Sequence, residues 1–165
     1  MKALGVIGVA ILSAVTAISA QATAIYAIND AGDMFFYTHT GAANGTATFP
    51  IQAKQIGTAW HFRQVFAGEH GAIYAVKPNG DMLFYKFAGE ADGSAKWSIE
   101  AKKIGTGWNF RQVFAGEHGA IYATRADGAM LFYKFAGMAD GSANWSIEAK
   151  QIGTGWDYRQ VFAGR

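Results

Sequence analysis

The sequence has no cysteine among its 165 residues. That excludes a disulfide framework, a thiol nucleophile and any thiolate metal site. Proline is nearly absent, at 2 residues, and charged residues make up only 16%. A disordered chain shows the opposite balance, rich in charge and poor in aromatics. With a net charge of only +2 there is no dense basic patch, so nucleic acid is not an expected partner. The one long uncharged run, Ala3 to Ala17, is 15 residues, short of the roughly 20 that span a bilayer. The chain is instead rich in glycine, 21 residues, and in aromatic side chains, 15%. Together these suggest many short strands joined by tight turns.

The start of the chain reads as a targeting segment. Met1-Lys2 is a short basic opening, the uncharged run follows, and Ala20-Gln21-Ala22 fits a small-residue cleavage site. Residues 1–22 are therefore expected to be a secretory signal peptide and not a membrane anchor. A secreted, extracellular protein without cysteine must then be stable through burial alone.

The remainder is one repeat met three times. Ile56, Ile104 and Ile152 are 48 residues apart, and each opens the phrase Ile-Gly-Thr-(Ala/Gly)-Trp. Units 23–70, 71–118 and 119–165 divide the rest of the chain without remainder. The second and third match at 36 of 47 positions and the first and second at 29 of 48, so the first unit is the divergent one.

Four strand signals lie in the second unit: Ala72–Val76, Asp81–Phe87, Trp97–Lys102 and Phe110–Ala115, with Pro78-Asn79-Gly80 as a turn. The first two are apolar on both faces and so covered on both sides. The third alternates, with Trp97, Ile99 and Ala101 on one face and Ser98, Glu100 and Lys102 on the other, as in a half-exposed outer strand. Four-stranded units at this period point to an all-β fold of β-propeller blades, in preference to a stacked solenoid. Closed propellers typically have 4–8 blades, so three units predict a homo-oligomer, most simply two chains sharing a six-bladed ring. The Tyr158–Phe162 strand is expected to complete the sheet begun by Ile25–Ile28, in a closed ring or on another chain.

The run Gly107 to Ala123 resembles the repeat of the tachylectin-2-type β-propeller lectin family. So does its continuation through Tyr133-Lys134, Asn144-Trp145 and Ala149-Lys150-Gln151-Ile152-Gly153. The likeness covers residues 23–165. It implies five-bladed propellers that bind N-acetylated amino sugars, of the N-acetylglucosamine or N-acetylgalactosamine type, in one shallow pocket between each pair of blades. The sequence departs from the family in holding three units. It also has Phe87-Ala88-Gly89 and Phe135-Ala136-Gly137 where the lectin repeat has a double proline.

The five tryptophans occupy two repeat positions: Trp60, Trp108 and Trp156, then Trp97 and Trp145, with Phe49 in the third place of the second set. Sugar C–H groups pack on aromatic faces, so Trp97 and Trp145 are candidate carbohydrate-binding residues, with blade packing as the alternative role. Trp60, Trp108 and Trp156 follow a glycine turn beside a core strand and are expected to be packing residues. Tyr37, Tyr85 and Tyr133 recur on the second strand, where a hydroxyl finds a partner at a pocket rim. Asp92, Asp140 and Asn44 recur in the glycine-rich loop; they fit either sugar hydroxyls or local turn chemistry. Arg63, Arg111 and Arg159 recur on the inner strand, as a tunnel lining or as partners for Glu69 and Glu117. No asymmetric acid or base stands out, so no enzyme activity is expected. No cofactor is implied. Asp30, Asp33 and Asp81 supply too few oxygens for calcium. The sequence thus predicts a secreted lectin with repeated weak sites for glycans ending in N-acetyl amino sugars. The alternative is a structural or self-assembly module without sugar binding.

Overall fold

The structure, a computed structural model, describes residues 22–164. The expected signal peptide lies outside the described residues except for Ala22. Among the described residues there are eleven strands and no helix. The first unit contributes β1 (Thr23–Ile28), β2 (Met34–His39), β3 (Ile51–Gly57) and β4 (Gln64–Ala67). The second contributes β5 (Ala72–Val76), β6 (Met82–Phe87), β7 (Trp97–Gly105) and β8 (Gln112–Ala115). The third contributes β9 (Ala120–Thr124), β10 (Met130–Phe135) and β11 (Trp145–Gly153).

These form three antiparallel sheets, ordered β1-β2-β3, β4-β5-β6-β7 and β8-β9-β10-β11, and the sheets are not closed into a ring. Sequence repeat and sheet are offset by one strand. The last strand of the first unit and that of the second cross over to pair with the first strand of the next, Phe66 opposite Tyr74 and Phe114 opposite Tyr122. The expectation of three four-stranded units is corrected accordingly: the first sheet has three strands, because among the described residues nothing pairs with the free edge of β1. The Tyr158–Phe162 segment, expected as a strand, is not one, since a strand needs a partner to satisfy its backbone groups.

Side chains of adjacent sheets mesh to form two cores. One gathers Met34, Phe36, Ile56, Trp60, Tyr85 and Phe87; the other gathers Tyr74, Phe84, Ile104, Trp108, Tyr133 and Phe135. Phenylalanines bridge each gap, Phe36 to Phe87 at 5.0 Å and Phe84 to Phe135 at 5.1 Å between ring centroids. The middle sheet is covered on both faces, and all of β5 is buried, as its two-sided apolar pattern requires. Inner strands are tied by glutamines. The Gln64 amide donates to the Arg111 carbonyl at 3.2 Å, and Gln112 repeats the contact to Arg159 at 3.1 Å. Two of the recurring arginines reach across to the next sheet. The Arg63 guanidinium donates to the Trp108 carbonyl, and Arg111 pairs with Asp157.

The outer strand departs from its expected alternation. Opposite Phe84 and Lys86 stand Lys102 and Ile99, so β7 carries one extra residue there. Ala101 takes φ 51°, and Ala53 and Ala149 take 48° and 49° at the same place. Such a bulge rotates the following side chains. Trp97 and Ile99 do not share the expected face: Trp97 packs on the core shared with the first sheet and Ile99 on the core shared with the third, because the register also shifts between Lys86 and Phe87. Ala101 is exposed, and the strand runs on to Gly105 instead of turning at Ile104.

Candidate functional site

The phrase Ile-Gly-Thr-(Ala/Gly)-Trp builds one wall of a groove between the first two sheets. At Gly57 a Cβ would run into the Trp60 indole, and Gly105 stands in the same relation to Trp108. Only a residue without a side chain lets the indole fold back over its own strand. The Trp60 backbone N–H donates to the Gly32 carbonyl at 2.9 Å and that of Trp108 to Gly80 at 2.9 Å, pinning the phrase to the β1–β2 and β5–β6 turns. Trp60 and Trp108 are buried, the packing role expected of them.

The opposite wall comes from the next sheet. Tyr85 lies 4.6 Å from Trp60 between ring centroids, and Trp97 stacks on Trp60 at 5.6 Å. The Trp97 indole N–H donates to the Ile56 carbonyl at 3.0 Å across the gap. Trp97 is therefore both an inter-sheet tie and a groove wall. The groove holds about 250 Å³ and is lined by Thr58, Trp60, Tyr85, Trp97, Glu100 and Ala101 among others. That is below the roughly 300–1,000 Å³ of a drug-sized pocket, a size for one small polar ligand.

The same arrangement recurs between the second and third sheets. Trp108 lies 4.5 Å from Tyr133 and 5.4 Å from Trp145, and the Trp145 indole N–H donates to the Ile104 carbonyl at 2.8 Å. Burial, and then the neighbouring Glu100, pushes the Tyr85 phenol above its usual range; burial and then Glu148 do the same for Tyr133. Each glutamate thus lies within electrostatic reach of a groove tyrosine.

Of the residues singled out in the sequence, Tyr85 with Trp97 and Tyr133 with Trp145 come together here. Asp92, Asp140 and Asn44 do not line this groove. The Ser94 hydroxyl and backbone N–H donate to Asp92 at 2.6 and 2.9 Å, and the Ser142 N–H donates to Asp140 at 2.9 Å. Those bonds hold both carboxyls below the usual carboxylate range. Asn44 makes the same turn with Thr46. Tyr37 stands half-buried on β2 of the first sheet, and Phe49 has no ring N–H with which to repeat the tryptophan tie. Alternation puts Glu100 on the far side of the strand from Trp97, and the sequence does not single out Glu148. The register shift between Lys86 and Phe87 puts Glu100 on the Trp97 side of the strand, with Ala101 beside it at the groove; no residue type in the repeat marks that shift.

The raised phenols give a pH expectation. Tyr26 and Tyr74 are also pushed up, by burial first and then by Glu90 and Glu69 respectively. A phenol whose folded pKa exceeds its unfolded value of about 10 stabilises the fold fully below that value. The contribution is lost as pH rises above it toward the folded values. Stability to urea should therefore be insensitive to these groups up to about pH 9 and fall steeply above about pH 10. Phenolate absorbance and far-ultraviolet circular dichroism should then change together. Phenolate signal from all seven tyrosines appearing before any loss of strand signal would refute this.

Among the described residues no group of three or more His, Asp or Glu is placed to hold a metal ion, and no helix is long and apolar enough to cross a membrane. A family model described as Tachylectin matches residues 17–165. No curated protein matches the chain significantly.

Proposed function

The chain belongs to the tachylectin family, a lectin family and not one of enzymes, and on that premise we propose that it is a secreted lectin for N-acetylated amino sugars. Its blades would belong to a β-propeller completed by a homo-oligomer. The observation that carries the reading is the repetition of one aromatic cluster, two indoles and a phenol, at matching distances in both gaps between sheets, with a glutamate at the same repeat position within electrostatic reach of each phenol. Aromatic faces suit sugar C–H groups and an acetamide methyl, while a carboxylate accepts hydrogen bonds from sugar hydroxyls. Several shallow sites on one rigid body gain affinity for clustered glycans by avidity.

The expected result is retention of the purified protein on N-acetylglucosamine resin, elution by the free sugar, and little retention on a glucose resin. Absence of retention on any amino-sugar resin by the assembled protein would overturn the reading. The second reading, a self-assembly module without sugar binding, is favoured by one observation: Asp92 and Asp140 are already engaged by Ser94 and Ser142.

A further inference from the structure

The two open ends of the array expose positions that are buried wherever the repeat has a neighbour. Ile152 is 48% exposed, while Ile56 and Ile104 are at 2% and 1%. Ile25 is 40% exposed, while Ile73 and Ile121 are at 1% and 0%. Ile28 is exposed where Val76 and Thr124 are fully buried. Phe162, at 75%, is the most exposed large apolar side chain among the described residues, although its equivalents Phe66 and Phe114 stack on Tyr74 and Tyr122 at 5.1 and 5.3 Å. Tyr26 is the one member of that tyrosine series with no stacked phenylalanine from an inner strand. Beside it runs a groove of about 390 Å³, lined by Ile25, Tyr26, Ile28, Val65, Phe66 and Ile73. It lies where an inner strand would sit between β1 and β4.

One end thus lacks an inner strand, and the other holds an inner-strand sequence with no sheet. Gln160-Val161-Phe162-Ala163 repeats Gln64-Val65-Phe66-Ala67 residue for residue. Its placement is already prepared. Gln112 donates to the Tyr158 and Arg159 carbonyls at 3.1 Å and accepts from the Val161 N–H at 2.6 Å, which holds the segment alongside β8 with its pairing edge unused. Within one copy this segment and β1 belong to opposite ends of an unclosed array of three sheets, below the 4–8 of closed rings.

We infer that Gln160–Ala163 of one copy adds to β1 of a second copy as its inner strand, deepening the oligomeric part of the function proposed above. The register is that of β4 on β5 carried over by the repeat: Gln160 opposite Ile28, Val161 opposite Ala27, Phe162 opposite Tyr26 and Ala163 opposite Ile25. Phe162 then stacks on Tyr26 and fills the groove beside it. The second copy donates its own segment in return, which gives six four-stranded sheets in a closed ring and leaves no sheet with an open inner edge. The junction also forms a third groove from two chains, with Thr154, Trp156 and Tyr158 on one side and Tyr37, Phe49 and Gln52 of the second copy on the other. Because Gln52 replaces the glutamate and Phe49 the tryptophan, this groove is neutral and lacks the indole tie.

The cysteine-free sequence makes a direct test. The double variant Val161→Cys with Ala27→Cys places thiols directly opposite each other across the new strand pair. Mild oxidation should give a covalent dimer that reverts with reductant. Shifting the partner by one residue, Val161→Cys with Tyr26→Cys, turns the thiols to opposite faces and should link far more slowly. Phe162→Ala should lower the mass found by light scattering from two chains to one at micromolar concentration, with the strand signal kept. Equal linking by both pairs, a disulfide within one chain, or a folded parent of one-chain mass would each overturn the inference. A two-chain ring that is not retained by amino-sugar resin would leave it standing and remove the lectin reading; a retained single chain would do the reverse.

Discussion

Replacing Glu100 and Glu148 together by alanine is expected to abolish retention on amino-sugar resin, while either replacement alone weakens it. Each glutamate is exposed on its outer strand and makes no hydrogen bond that the fold uses, so folding and assembly should survive. In the first groove Glu100 is the one carboxylate in the lining, and Glu148 holds the same repeat position within electrostatic reach of Tyr133. A hydrogen bond to a charged group contributes about 1.5–3 kcal/mol, roughly a ten- to hundredfold change in affinity for each groove. Losing one groove also removes the avidity of paired sites, which alone reaches about 10²–10⁴. The variant should further bring the Tyr85 and Tyr133 phenols down toward their ordinary range, because the glutamates contribute to raising them. That shift is a check on placement that needs no sugar. Full retention of a correctly folded double variant would show that the carboxylates are not ligand contacts.

The repeat made most of the fold legible. Ala72–Val76 and Met82–Phe87 are buried strands because their residues are apolar on both faces, and that pattern is visible without coordinates. Trp60 and Trp108 were legible as packing residues because a glycine sits three positions before each of them. The bulge was not legible. Ala101 adopts a left-handed φ that a sequence would assign to glycine or asparagine, and the earlier register shift between Lys86 and Phe87 has no residue signal, so alternation puts Glu100 on the side away from Trp97 and the groove. The offset between repeat and sheet was legible only at the ends, where Tyr158–Phe162 is expected to join the sheet begun by Ile25–Ile28. A 48-residue period fixes spacing but not where the chain passes from one sheet to the next. The loop residues Asp92 and Asp140 were legible only as alternatives. A carboxylate two residues before a serine suits a turn and a ligand equally until the Ser94 hydrogen bonds are seen.

Phe84→Ala is expected to cost about 3–5 kcal/mol, the range for removing a fully buried phenylalanine, against a total stability of about 5–15 kcal/mol for a domain of this class. Phe84 is 0% exposed. Its ring lies 5.4 Å from Tyr74 in its own sheet and 5.1 Å from Phe135 in the next, so truncation opens a cavity across the gap and not within one sheet. Phe132 holds the same repeat position on β10 but is only half-buried, packed on Tyr122 at 5.4 Å. Among the described residues no following sheet covers it. In the ring closed by a second copy, that place is taken by the sheet that carries His39, the repeat equivalent of Phe87 and Phe135. Phe132→Ala should then cost nearly as much as Phe84→Ala at high protein concentration, where copies are paired, and much less on dilution. The Phe84 cost should change little with concentration. Urea midpoints of both variants at two concentrations a hundredfold apart would decide it, since only the junction residue takes its burial from a second copy and therefore from mass action. A Phe132 cost independent of concentration would mean that no second sheet covers it.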